Sequence, residues 1–444
     1  MSFHKENPFL QGPILPVLMK FAMPILLALF LQAMYGAVDL WAVGKFCGPA
    51  DVSAVATGSQ TMLIITGIIV GLSMGTTILL AQKFGQKDEE GAADAIGASL
   101  WIFSIISVVL SVVMLIGAPY IAVIMHAPAE ALEKTVHYIT ICSSGIIFIS
   151  AYNVISGIFR GLGNSKSPLL FVAIACVTNI IGDVLFVAVL GMDASGTAFA
   201  TVIAQAVSVV LSLVIIVKKG FPFPVAKENF AIKKNVIKKI LKLGSPIALQ
   251  DMCNEVSFLV IIAIVNTLGL TASAGVGIAE RLVMFMLLVP ITYMSSISSF
   301  VAQNVGSDQY SRARKSMWLG MSTAVCFGVA MFYFSFFHGD VLSSIFTKDP
   351  DVIAASASFL KATAIESITL TIAYCFIGYF NGIGKTTFVM LQGLGSIFLV
   401  RIPYAYFASI QENPSMFSIG LSAVASAGFI LIASLIYYKF GKKH

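Results

Sequence analysis

Twelve long apolar runs dominate this sequence, each of about 20 or more residues, the length at which a helix crosses the hydrocarbon of a bilayer. In the first half they cover residues 14–43, 54–81, 98–124, 136–159, 168–190 and 198–217. In the second half they cover 239–265, 274–302, 317–337, 352–380, 386–410 and 416–438. Lipid offers no hydrogen bonds to a backbone, so such runs must satisfy their own as helices. The expected fold class is an all-α integral membrane protein with twelve transmembrane helices. Composition agrees: 58% of residues are hydrophobic and 11% charged, against about 25% charged in soluble domains.

The positive charges fall mostly on one side. Placing the amino terminus in the cytoplasm gathers Lys83, Lys87, Arg160, Lys166, Lys218, Lys219, Lys233, Lys234, Lys238, Lys239, Arg312, Arg314, Lys315, Lys385, Lys442 and Lys443 there, and leaves the opposite loops little beyond Lys45 and Lys348. Both termini are then cytoplasmic. The opening MSFHKENPFLQGP lacks the pattern of a signal peptide, and the loops are short, which together point to a multi-pass protein of a bacterial inner (plasma) membrane. The basic stretch 218–242 reads as a cytoplasmic connector, and no nucleic-acid partner is expected. Six scattered cysteines without metal-ligand spacing read as packing residues.

The chain repeats itself. AQKFGQ at 81 echoes AQNVGS at 302, and FRGLGNSKS at 159 echoes FNGIGKTTF at 380, both at an offset of 221; KFAMPILL near Lys20 echoes KLGSPIAL near Lys242 at 222. Two six-helix lobes follow, 1–217 and 239–444, joined by a linker at 218–238. An even number of spans gives the lobes the same orientation, related by a pseudo-two-fold axis along the membrane normal.

Against that repeat, the intramembrane acids are asymmetric. Asp39 in span one and Asp183 in span five correspond to Val260 and Tyr404, so the carboxylates belong to the first lobe alone. Holding such a charge in hydrocarbon costs at least about 2.5 to 3.5 kcal/mol, which marks a functional site. From the rise of about 1.5 Å per residue, Asp39, Asn179, Asp183 and Thr201 share one level in the outer half of the lobe. Two carboxylates, an amide oxygen and a hydroxyl suit a hard monovalent cation, and paired carboxylates also suit a proton. The coupling ion is therefore sodium or a proton. The alternative is plain interhelical bonding, with Thr201 satisfying its own backbone. Pro24 removes a backbone bond from the first helix and permits a bend there. Gln32, Tyr35, Tyr138, Tyr152 and Asn153 are placed to line a cavity for an amphipathic ligand, or to serve helix packing.

YGAVDLWAVGKF in span one, FRGLGNSKSP after span four, TNIIGDVLF in span five and GTAFATVIAQ in span six resemble the multidrug and toxic compound extrusion family. The resemblance covers nearly the whole chain. It implies an antiporter, not an enzyme, that expels small amphipathic, mostly cationic molecules against inward sodium or proton flow. It implies a monomer in membrane lipid, with no cofactor beyond the coupling ion. Carried over by motif, the ion site is Asp39, Asn179, Asp183 and Thr201 with a backbone carbonyl near Ala198, and the substrate residues are Gln32, Tyr35, Tyr138 and Asn153. Some members instead use acids on spans seven and ten. Here span seven has Asp251 and Glu255, but residues 370–374 of span ten have none. Glu255 is either a second-lobe site for a cationic compound or a buried partner of Arg281 or Arg401, and Glu366 is without a role.

Three rival readings are weaker. A flippase or exporter of lipid-linked, polyanionic cargo favours several cavity arginines, and only Arg281 and Arg401 lie within spans. An intramembrane enzyme needs a metal or nucleophile constellation, and no HExxH or GxGD motif is present. A channel calls for rings of charge around a pore.

Overall fold

The structure, a computed structural model, describes residues 7–441. Lys442 and Lys443, counted above with the cytoplasmic charges, lie outside the described residues. Among those residues every regular element is helical. The helices are α1 (Ile14–Phe46), α2 (Pro49–Gly85), α3 (Glu89–Ile124), α4 (Ala129–Ser144), α5 (Ile146–Gly161), α6 (Lys166–Asp183), α7 (Ala194–Lys219), α8 (Lys234–Asn266), α9 (Leu270–Gly306), α10 (Tyr310–Phe337), a short α11 (Gly339–Ser344), α12 (Pro350–Gly382), α13 (Thr386–Gly395), α14 (Ile402–Ser409) and α15 (Met416–Phe440). Wider π-type turns extend α6 over Val184–Val189 and join α13 to α14 over Ser396–Arg401. Among the described residues eleven helical segments are long and apolar enough to span, and twelve when the α4–α5 pair counts as one.

The expected fourth span is broken: α4 and α5 meet at 49°. The break falls at Gly145, where an added Cβ would lie 2.6 Å from Val202 of α7. A glycine inside an apolar run hides such a break, because hydropathy does not register the missing side chain. Elsewhere the helix ends follow capping chemistry. Asp88 opens α3 by accepting from the Gly91 N–H at 2.9 Å, and Asp193 opens α7 by accepting from the Ser195 N–H at 3.0 Å.

The chain forms two compact units. One holds Met23–Ala248; the other holds Pro8–Ala22 and the chain from Leu249 on. Each change of unit falls beside a helix-interior proline, Pro24 in α1 and Pro246 in α8, and both helices run unbroken through them. In the first unit α2 packs on α3, α4 and α5, and α6 packs on α7. The start of α8 joins α2 backbone to backbone. A Cβ at Gly75 would lie 2.4 Å from the Ile240 carbonyl, and one at Gly244 2.6 Å from that of Leu72, a close small-residue contact typical of membrane helices.

The connector before α8 is fastened to α3. Asp94 accepts from Asn229 Nδ2 at 2.7 Å and Lys233 Nζ at 2.6 Å, and the Trp101 indole donates to the Phe230 carbonyl at 2.7 Å. In the second unit α12 packs on α9, α10 and α15. Arg312 holds the segment that leads into α1: Nε donates to the Phe9 carbonyl at 2.9 Å, Nη1 to Gly12 at 2.9 Å and Nη2 to Gln11 at 3.1 Å. The Phe9 ring sits between Phe21 and Phe300, with centroids 5.0 and 4.9 Å away.

Candidate functional site

Helices α1, α6 and α7 bring the first-lobe residues together. Asp39 lies in the last two turns of α1, Asn179 and Asp183 project from one face of α6 at i and i+4, and Thr201 lies two turns into α7. Small residues allow the approach. A Cβ at Gly182 would lie 2.8 Å from Ala200 Cβ, so α6 and α7 touch through the neighbours of Asp183 and Thr201.

The site is sealed within the protein: Asp39 is 4% exposed, Asp183 0% and Asn179 1%. The Thr201 hydroxyl donates to Asp39 Oδ2 and accepts from Asn179 Nδ2, both at 3.4 Å. The Asp39 and Asp183 carboxyl groups act on one another electrostatically. Asp39 Oδ1, Asn179 Oδ1 and both Asp183 oxygens are buried and find no hydrogen-bond donor among the described residues. Buried polar atoms are nearly always paired, and an unmade bond costs about 1–3 kcal/mol, more for a charge. Such a cluster of acceptors without donors is what a cation or an added proton would satisfy. Ala198 is buried on α7, one turn before Thr201. The wider turn that follows Asp183 at Val184–Val189 is a departure of the kind that recurs at functional positions.

The expected substrate residues divide. Gln32 and Tyr35 lie on the α1 face that carries Asp39; Gln32 Nε2 donates to the Tyr152 hydroxyl at 3.5 Å, and Tyr35 accepts from Gln205 Nε2 at 3.5 Å. Tyr138 is buried with its ring against Gly58, and its hydroxyl has Cys142, Asp39 and Tyr35 as electrostatic neighbours. Asn153 is turned aside, with Nδ2 bonded to the Ile149 carbonyl one turn back at 2.8 Å. On α5 it is the adjacent Tyr152 that meets Gln32. Gln205 was missed by the sequence reading, although its place one turn beyond Thr201 is a usable signal.

The second unit holds a separate acidic group. Glu255 of α8, Glu280 of α9 and Glu366 of α12 all feel the charge of Arg401, and Asp251 feels Glu255. The cation acting on Glu255 is Arg401 rather than Arg281. Glu366, without a role in the sequence, thus shares with Glu255 and Glu280 the influence of one guanidinium, whose buried Nε has no partner among the described residues. Among the described residues no group of three or more His, Cys, Asp or Glu side chains is arranged to hold a metal ion.

Comparison with known proteins fits this arrangement. The MatE family model matches residues 24–185 and 246–407, two ranges that open at Pro24 and Pro246, the prolines at the changes of unit. The Probable multidrug resistance protein YpnP of Bacillus subtilis is 27% identical over 439 residues, covering 99% of this chain and 98% of that protein. The Probable multidrug resistance protein NorM of Thermotoga maritima is 22% identical over 440 residues, covering 96% and 92%. A solved outward-facing structure of a multidrug resistance MATE family transporter of the MOP superfamily superposes with a TM-score of 0.91 at 20% identity, covering 99% of this chain and 98% of that one. With both halves of the chain matched and the helical fold shared end to end, the protein belongs to the MatE family, the multidrug and toxic compound extrusion transporters.

Proposed function

We propose that this transporter is a cation-coupled antiporter that exports amphipathic, mostly cationic compounds, with sodium or a proton bound at Asp39, Asn179, Asp183, Thr201 and the carbonyl near Ala198. The observation that carries the reading is the set of four buried, donorless oxygens on Asp39, Asn179 and Asp183. A sodium ion would take those oxygens as ligands; a proton would be shared by the two carboxylates. Either neutralises charge that burial makes costly, and so favours the arrangement in which α1 closes on α6 and α7. The exported compound would use Gln32, Tyr35 and Tyr138, with only the amide oxygen of Asn153 left to it, and with Glu255 available to a cationic group in the second lobe. Ion and compound need not touch. It is enough that each favours a different α1 conformation, since a ligand shifts such an equilibrium only by its differential affinity, and Pro24 is where α1 lacks a backbone bond. The chain would work as a monomer in the inner membrane with both termini cytoplasmic.

The test is ethidium efflux from proteoliposomes under a sodium or a proton gradient imposed separately. Wild type should transport under one gradient, and Asp39→Asn and Asp183→Asn should each lose coupled transport while remaining folded. Normal gradient-driven efflux by Asp39→Asn would refute this site.

A further inference from the structure

The polar residues of the first unit do not stop at the ion site. Gln32, Tyr35 and Asp39 follow at i, i+3 and i+7 on α1, Thr201 and Gln205 at i and i+4 on α7, and Tyr152, Ser156 and Arg160 at i, i+4 and i+8 on α5. They meet in order. Asp39 reaches Thr201 at 3.4 Å, Gln205 reaches Tyr35 at 3.5 Å, and Gln32 reaches Tyr152 at 3.5 Å. Ser156 and Arg160 continue that face of α5 one and two turns beyond Tyr152, which feels the Arg160 guanidinium. Seven α1 residues and eight α5 residues separate the ends, so the series extends over roughly 20–25 Å of a hydrocarbon layer about 30 Å thick.

The unsatisfied atoms follow the same line. Among the described residues, every first-unit residue with a buried side-chain polar atom lacking a protein partner lies on the ion site or this series, save Ser150. They include Ser156 Oγ at 0% exposure and Gln205 Oε1 at 9%. Isolated orphans would be scattered. Orphans in a row, each demanding a partner, describe a route that water or a proton can follow.

We propose that this polar column connects the carboxylate pair to the far end of the first lobe, and that Arg160 is its barrier. The proposal rests on the antiport reading above. A column open to cations would let the driving ion cross without cargo. The guanidinium stays charged at any physiological pH. A monovalent cation passing within about 8 Å of it, at an effective dielectric near 20, is opposed by roughly thirtyfold. Arg160 thus acts on ion specificity and coupling without touching the ion at its site.

The experiment measures dissipation of a proton gradient (internal pyranine) and of a sodium gradient (isotope flux) in proteoliposomes of the full chain, with no exported compound present. Arg160→Gln, shown by ethidium binding to be folded, should raise this leak about thirtyfold, and Arg160→Lys should restore the wild-type rate. Adding Ser156→Ala to Arg160→Gln should lower the leak by removing one oxygen of the column. Ser156→Ala alone should slow coupled efflux several-fold with ethidium affinity unchanged, a readout independent of how well the arginine variant folds. A tight Arg160→Gln, an equal leak in Arg160→Lys, or an unaltered efflux rate in Ser156→Ala would overturn the column. A wild type with no gradient-driven efflux would sink the antiport reading instead.

Discussion

Replacing Gly182 with alanine perturbs the ion site without touching any of its polar atoms. The new Cβ would lie 2.8 Å from Ala200 Cβ and 3.2 Å from Ala200 Cα. Carbon atoms rest at about 3.5–4.0 Å, so α6 and α7 must part by about 0.7–1.2 Å at this level. The Asn179–Thr201 link, which joins those two helices, is already 3.4 Å, and that separation takes it beyond hydrogen-bond range. Thr201 is then drawn away from Asn179 and Asp183, and losing one polar partner costs the charged coupling ion about 1.5–3 kcal/mol, or about a 10- to 100-fold loss of affinity. Overpacking adds about 1–3 kcal/mol of general destabilisation, so a control is needed. At Gly67 of α2 a Cβ meets nothing within 4 Å, and Gly67→Ala should be neutral or stabilising by up to about 1 kcal/mol. The assay is the half-saturating concentration of the coupling ion for ethidium efflux, measured beside ethidium affinity. Gly182→Ala should raise the first by tenfold or more and leave the second near wild type. A folded Gly182→Ala protein with wild-type ion dependence would refute the reliance of the site on this contact.

Two further outcomes concern the loops. Arg312→Ala removes three bonds to the carbonyls of residues 9–12 and should cost about 1–3 kcal/mol, seen as faster limited proteolysis of that segment; lysine restores only part, because one ammonium cannot face three carbonyls. At the α2–α3 turn, the hydrogen bond from Lys83, and after it the Gly91 N–H, hold the Asp88 carboxyl below its ordinary value. A depressed carboxyl adds stability that is present above its unfolded pKa of about 3.9 and lost as the pH falls through the folded value. Thermal melts of wild type and Asp88→Asn should therefore differ at neutral pH and converge below about pH 4, by less than about 1 kcal/mol because the pair is part-exposed.

The spans were legible because hydropathy and length are one-dimensional properties. The run at 14–43 became Ile14–Phe46, and the run at 416–438 became Met416–Phe440. The duplication was legible from short echoes, and the family model falls on the same two halves. Asp39, Asn179, Asp183 and Thr201 were legible together because polar atoms in an apolar run are conspicuous and helix rise fixes their depth. What sequence hid was side-chain direction. Asn153 and Tyr152 are neighbours and equally polar, yet only Tyr152 faces Gln32, because the asparagine is bonded to its own helix. Glu366 sits midway along α12, and the charges it feels come from elements far away in sequence, so no local pattern marked it. The 49° break at Gly145 was hidden for a related reason, since the neighbour that leaves no room for a Cβ there, Val202, lies far along the chain.

The allocation of residues 8–22 to one compact unit and of residues up to Ala248 to the other makes folding order a matter of structure. Chains fold as they are made, amino terminus first. Here the segment that leads into α1 leaves the ribosome about three hundred residues before its partners, the Phe300 ring and the Arg312 guanidinium. Conversely, α2 carries bare glycine surfaces at Gly71 and Gly75 until residues 240–248 emerge to cover them. Neither half can finish before the other has begun, so a chain cut within the connector yields two pieces that each lack a strip of their own interior.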